Sequence, residues 1–244
     1  MQSAFTPTVL LYRHNVYIMY VRHKGEENYM ATLEELIWEG IAKTNEYAGI
    51  HAGHFDYPCT RYSYFKITEP ELFAHASRGE KLRFWIGEAI HDKRILPVDK
   101  NFPPDAKIEY AGCFFTPDEY YDGILLEKKT VEYFAKLPKN LRIPAKHHIL
   151  RCEHYRMVLE MRGFEVKVIG LLYIDSLSHA RFLFTTEDGT LKLRSTEETK
   201  KTFDILNEDL KSSVGNKILP PRHMSWLCSY CKAFTKCFTE SGRE

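Results

Sequence analysis

Three of the chain's six cysteines fall within ten residues, in LCSYCKAFTKC, as Cys228, Cys231 and Cys237. A disulfide between Cys228 and Cys231 would close a very small, strained ring, so this is the spacing of ligands to a soft metal. Three thiolates need a fourth. Cys59, which follows a proline in the polar stretch YPCTRY, is the best candidate. Cys113 lies in the strand-like AGCFF and Cys152 in mid-helix, and both read as buried core thiols. Four thiolates suit zinc or a 4Fe-4S cluster about equally. Either would pin the last twenty or so residues back onto the N-terminal half, which constrains the fold more than any other feature of the sequence.

The 244 residues suffice for one large domain or two small ones, and an apolar share of 44% with 27% charged residues excludes a disordered tail protein. No run approaches the roughly 18 apolar residues of a membrane helix, and the opening MQSAFTPTVLLYRHN lacks the build of a signal peptide. A cytoplasmic protein without a membrane partner is expected. Thirty-four Lys and Arg against 33 Asp and Glu leave a net charge of +1, so a polyanion must be held by a local patch.

Residues 8 to 22 read as a hairpin about an Arg-His-Asn turn, and a capping box at Thr32 opens an amphipathic helix ending near Gly49. In GEKLRFWIGEAIHDKRI, Phe84, Gly87, Glu88 and His91 share one helix face. Two strands are expected over 107–130, a helix over about 145–162, strands in EVKVIGLLYID and ARFLFTT, and a helix in TEETKKTFDILNEDLKSSVG. The order predicts a mixed α/β fold with one core.

Asp122-Gly123, between two strand-like runs, is a strong hairpin signal. With those two residues in the turn, Tyr121 faces Ile124, Tyr120 faces Leu125, Glu119 faces Leu126 and Asp118 faces Glu127. Facing carboxylates destabilise a sheet unless a cation sits between them, so a divalent metal is the natural explanation. Lys129 lies two residues on, on the same strand face as Glu127. From Lys128 to His147 the chain carries Lys128, Lys129, Lys136, Lys139, Arg142 and Lys146 against one acid, Glu132, which suits a nucleic-acid backbone.

The P-D-(x)8-E-x-K pattern of Pro117, Asp118, Glu127 and Lys129 is the signature of PD-(D/E)xK nucleases. With the cysteines, the chain resembles the CRISPR-associated exonucleases of the Cas-four type, RecB-like nucleases carrying a 4Fe-4S cluster, over about residues 55 to 238. The matching elements are Cys59 followed by Arg61, the G-x-x-x-H of Gly87 to His91, the acids and lysine above, and Trp226 with the three terminal cysteines. One element departs: where the family has Q-x-x-x-Y, RCEHY places Arg151 one turn before Tyr155.

The resemblance implies a RecB-like restriction-endonuclease core over 55–244, a mixed sheet flanked by helices and closed by the cluster, with 1–54 a hairpin-and-helix extension. It implies a 4Fe-4S cluster on Cys59, Cys228, Cys231 and Cys237, and Mg2+ or Mn2+ on His91, Asp118 and Glu127. Lys129 and Tyr155 would join Asp118 and Glu127 in catalysis, while Arg61, Lys136, Lys139, Arg142, Lys146 and Arg151 would meet DNA. The implied activity is trimming of single-stranded or overhanging DNA ends; CRISPR spacer acquisition with the integrase complex and a viral or stand-alone repair nuclease of the same type fit equally. A non-catalytic iron-sulfur DNA-binding or scaffold subunit is the alternative.

Overall fold

The computed structural model describes residues 8–12, 15–19, 50–56, 59–73, 78–102, 107–131, 142–175, 180–222, 224, 228–229 and 231–239. Asp122 and Gly123 both take positive φ, 45° and 83°, as the central pair of a type I′ turn requires. The turn joins β6 (Glu119–Tyr121) to β7 (Ile124–Val131). Their antiparallel ladder pairs Tyr121 with Ile124, Tyr120 with Leu125 and Glu119 with Leu126, the register read from the turn. A Cβ on Gly123 would meet Lys167 Cδ at 3.0 Å, and the Gly123 carbonyl accepts from Lys167 N at 2.8 Å. Glycine thus serves both the turn and the close passage of the chain entering β8.

Strand β7 continues through helix α3 (Lys146–Met161) into β8 (Val168–Asp175), which pairs with β7 in parallel from Ile124↔Val168 to Val131↔Asp175. A parallel pair needs such a crossover, because a tight turn can only reverse the chain. Antiparallel β9 (Arg181–Thr185) completes a four-stranded sheet of order β6-β7-β8-β9. A second sheet has the order β3-β5-β4, from Ile50–His51, Cys113–Phe115 and Ile108–Tyr110. The 107–130 region therefore holds four strands where two were expected, since short three-residue strands carry too little alternation to be read.

Helix α1 (Thr60–Thr68), which the sequence reading missed, packs on α4 (Thr196–Asn216), and α4 packs on α3. Ser195 and Glu198 form a reciprocal capping box at the start of α4. Phe115, Leu125, Met157, Leu171, Phe203 and Leu210 meet in one core, each at most 1% exposed. Each is a residue whose truncation to Ala costs about 2–5 kcal/mol.

The chain divides into two compact units, residues 1–47 with 76–85 and residues 48–75 with 86–244. The core cluster belongs to the second, and the first boundary falls before the expected 54/55 division. In the first unit β1 (Thr8–Tyr12) and β2 (Asn15–Met19) form an antiparallel hairpin in which Asn15 pairs with Tyr12, so Asn15 is strand and not turn. The helix expected from Thr32 lies outside the described residues. Helix α2 (Arg78–His91) ends at the histidine singled out above, and among the described residues no helix is long and apolar enough to cross a membrane.

Candidate metal centre and cysteine site

Between β6 and β8, strand β7 sends alternate side chains to opposite covered faces. Glu127 is fully buried and its Oε2 has no hydrogen-bond partner. The Lys129 ammonium pairs with its Oε1, and Arg151 Nη1 stands 4.0 Å from the same oxygen. Burial, reinforced by the nearby charge of Asp118, pushes the Glu127 carboxyl up to about 7 against the pull of Lys129 and Arg151. A buried acid with an orphaned oxygen has the donor character that a hard cation satisfies.

Asp118 occupies the position before β6, one step along the ladder from Glu119, on the Glu127 end of the hairpin. Its Oδ2 accepts the Lys128 backbone N–H at 2.6 Å, and its Oδ1 lies 2.8 Å from His91 Nδ1. Burial acts to raise this carboxyl, but the His91 hydrogen bond, the Lys129 charge and the Lys128 amide together hold it below the usual range. Two ligands at right angles on one ion, each at about 2.1 Å, stand about 3 Å apart, so the His91–Asp118 edge suits shared coordination. His91, Asp118 and Glu127 thus suit a divalent ion by donor type and by the unpartnered Oε2 of Glu127, although the three do not stand at the spacing that holds a single ion. Glu88, one turn before His91, is exposed.

Lys128 corrects the reading of the basic run. It is fully buried, and its Nζ donates to the carbonyls of His91 and Lys93, each at 2.8 Å, and to Glu119 Oε1 at 2.7 Å. Glu119 also accepts the backbone N–H groups of Ile95 at 2.9 Å and Leu96 at 2.5 Å. The two charges therefore clamp the end of α2 to the hairpin and set His91 beside Asp118. No phosphate can reach Lys128 there.

His147, Arg151 and Tyr155 lie four residues apart on α3, hence along one face. Tyr155 is buried, and burial with the charge of Glu127 drives its hydroxyl well above its ordinary range. Arg151 donates from Nε to Asp56 Oδ2 at 2.6 Å and pairs with the same oxygen through Nη2. Asp56 is 2% exposed, was not singled out from the sequence, and keeps its other oxygen without a hydrogen-bond partner. Gly53 makes room for this pair, since a Cβ there would stand 3.2 Å from Arg151 Nη2.

Of the other residues expected to meet DNA, Lys146 is exposed at the start of α3, and Arg142 stacks over the Phe182 ring, 4.3 Å from its centroid. Lys136 and Lys139 lie outside the described residues. Arg61 is a correction. Its guanidinium is buried, donating from Nε to the Pro220 carbonyl at 2.6 Å and from Nη1 to the Cys237 carbonyl at 3.3 Å and sulfur at 3.8 Å. It braces the cysteine segment and offers DNA no surface.

Cys59, Cys228, Cys231 and Cys237 line one small cavity, walled also by Tyr62, Phe65, Phe234 and Phe238. Cys59 stands just before α1 and Cys237 is in α5 (Phe234–Thr239). No disulfide joins any of the six cysteines. Burial and the neighbouring thiols Cys59, Cys237 and Cys228 raise Cys231 above its ordinary range, the repulsion that a cationic centre relieves. Among the described residues no group of three or more His, Cys, Asp or Glu stands at the spacing that holds a single metal ion. The donor set, four thiols in an aromatic shell, fits a thiolate-ligated centre. Cys113 and Cys152 are fully buried elsewhere in the core, and the Cys113 thiol, pushed up to about 11 by burial, donates to Asn207 Oδ1 at 3.0 Å.

Comparison with protein-family models, curated proteins and solved structures finds no match to this chain.

Proposed function

We propose that the chain is a divalent-metal-dependent DNA exonuclease that trims single-stranded or overhanging ends, built on a RecB-like core and stapled by a 4Fe-4S cluster on Cys59, Cys228, Cys231 and Cys237. The observation that carries this reading is Glu127, a fully buried carboxylate whose Oε2 has no partner, beside Asp118 and His91. Those three residues would hold Mg2+ or Mn2+. When bound, such an ion polarises the scissile phosphate and acidifies an attacking water.

The chain's own groups supply the rest. Lys129, held against Glu127, offers an ammonium group to orient the water or to offset charge developing on phosphorus. Tyr155 and the Lys128–Glu119 clamp keep the pocket dry and its ligands fixed. A place beside a CRISPR integrase during spacer acquisition belongs to the same reading and rests on the resemblance alone.

Anaerobically purified protein should shorten end-labelled single-stranded DNA only with Mn2+ or Mg2+, and Asp118→Ala or Lys129→Ala should slow it at least about 100-fold. Undiminished cleavage by either variant would overturn the assigned roles. A second reading, a non-catalytic DNA-binding subunit, draws on Arg151, whose guanidinium neighbours Glu127 where the family carries a neutral glutamine. Salt-dependent DNA binding without metal-dependent cleavage would select it.

A further inference from the structure

Arg151 is bound on two of its three nitrogens. Nε and Nη2 are taken by one oxygen of Asp56, and the remaining Nη1 faces Glu127 Oε1 from 4.0 Å. Asp56 is 2% exposed and Glu127 fully buried, so the guanidinium spans two buried acids, seated where Gly53 lacks a side chain. Neither acid's hydrogen-bonding capacity is exhausted, since Asp56 Oδ1 and Glu127 Oε2 have no hydrogen-bond partner.

We propose that the Asp56–Arg151 pair is a tethered internal cation, which competes with the divalent metal for Glu127 and, when the metal takes Glu127, turns its Nη1 edge to a phosphate of bound DNA. Asp56 acts as the positioning residue, and the inference rests on the nuclease reading above. The geometry supports it in two ways. A positive charge 4.0 Å from a carboxylate oxygen lowers that oxygen's affinity for any other cation. A guanidinium gripped along one edge keeps its other edge oriented, the arrangement in which arginine recognises phosphate. Asp56 also limits the competition, because it cancels part of the charge that Glu127 would otherwise feel.

The opposite charges of the pair give opposite predictions. Mn2+ alone is titrated into the full chain, with free Mn2+ followed by electron paramagnetic resonance. Arg151→Gln is expected to bind Mn2+ about 10-fold more tightly than wild type. Asp56→Asn, which leaves the guanidinium uncompensated, is expected to bind it several-fold more weakly. General loss of folding would weaken both. If Arg151→Gln does not fold alone, Asp56→Asn/Arg151→Gln takes its place and is compared with Asp56→Asn, with the same tightening expected. For the phosphate edge, metal-free binding of single-stranded DNA is measured against salt, and Arg151→Gln should reduce the slope by about one.

Removal of Arg151 without tighter Mn2+ binding, or an unchanged salt slope, overturns the inference while leaving a wild type that binds Mn2+ and cleaves as a nuclease. A wild type that neither binds Mn2+ nor cleaves overturns the nuclease reading and this inference together.

Discussion

The Glu127 carboxylate is unusual because its charge costs the most where its function needs it. Burial places its titration at about 7, against an ordinary value of 4.5. Between those values the folded chain holds a proton that the unfolded chain has released. The contribution of Glu127 to stability therefore falls as pH rises from about 4.5 to about 7. Glu127→Gln should accordingly unfold at higher urea than wild type at pH 8 without metal, by about 1–3 kcal/mol, and the gain should vanish at pH 4. A ligand must bind the carboxylate and not the acid, so Mn2+ uptake should release a proton near neutral pH. Calorimetric titrations in buffers of different ionisation enthalpy measure that release, and a buffer-independent heat would count against Glu127 as ligand.

Among the elements, the hairpin β6–β7 and the end of α2 are joined by the Lys128–Glu119 pair, and this junction sets His91 against Asp118. Removing one member of a buried ion pair strands the other, at about 3–5 kcal/mol. Lys128→Met should lose about that much stability in urea and cleave poorly although no ligand has been changed. A variant as stable and as active as wild type would show that the clamp does not position the site. The hairpin register was legible in the sequence because a two-residue Asp-Gly turn leaves one way to pair the strands, and three observed pairs follow it. The clamp was not legible, because lysine is rarely buried and a basic run invites a surface reading. The signal was available in strand alternation: if Glu127 and Lys129 share a face, Lys128 must point to the other. Asp56 and the bracing role of Arg61 escaped for a different reason, since each is paired with a residue some 95 or more positions away and only the fold brings the partners together.

Over the whole second unit, the four cysteines line one cavity, so that the C-terminal segment closes against Cys59 and α1. Two buried histidines and a half-buried one should make the same unit acid-sensitive. Burial lowers His54 and His154 to about 4 and His148 to about 2, from an ordinary 6.5. As pH falls below 6.5 the unfolded chain takes up protons that these native side chains refuse, so stability is lost progressively from about pH 6.5 toward pH 4. Glu127 works the other way over part of that range, and the histidines outnumber it. The urea midpoint should therefore drop between pH 7 and pH 5, and His154→Gln should flatten the drop. A midpoint that is constant or rises toward acid would contradict the buried neutral histidines.

The central claim is that Asp118, Glu127 and His91 share one divalent ion, and crystals soaked in Mn2+ test it most directly by anomalous scattering at the manganese edge. The account predicts a single strong peak within about 2.3 Å of an oxygen of Asp118 and an oxygen of Glu127, with the His91 ring alongside. Mn2+ bound elsewhere on the chain, with Glu127 still paired to Lys129 and no peak beside it, would contradict the account.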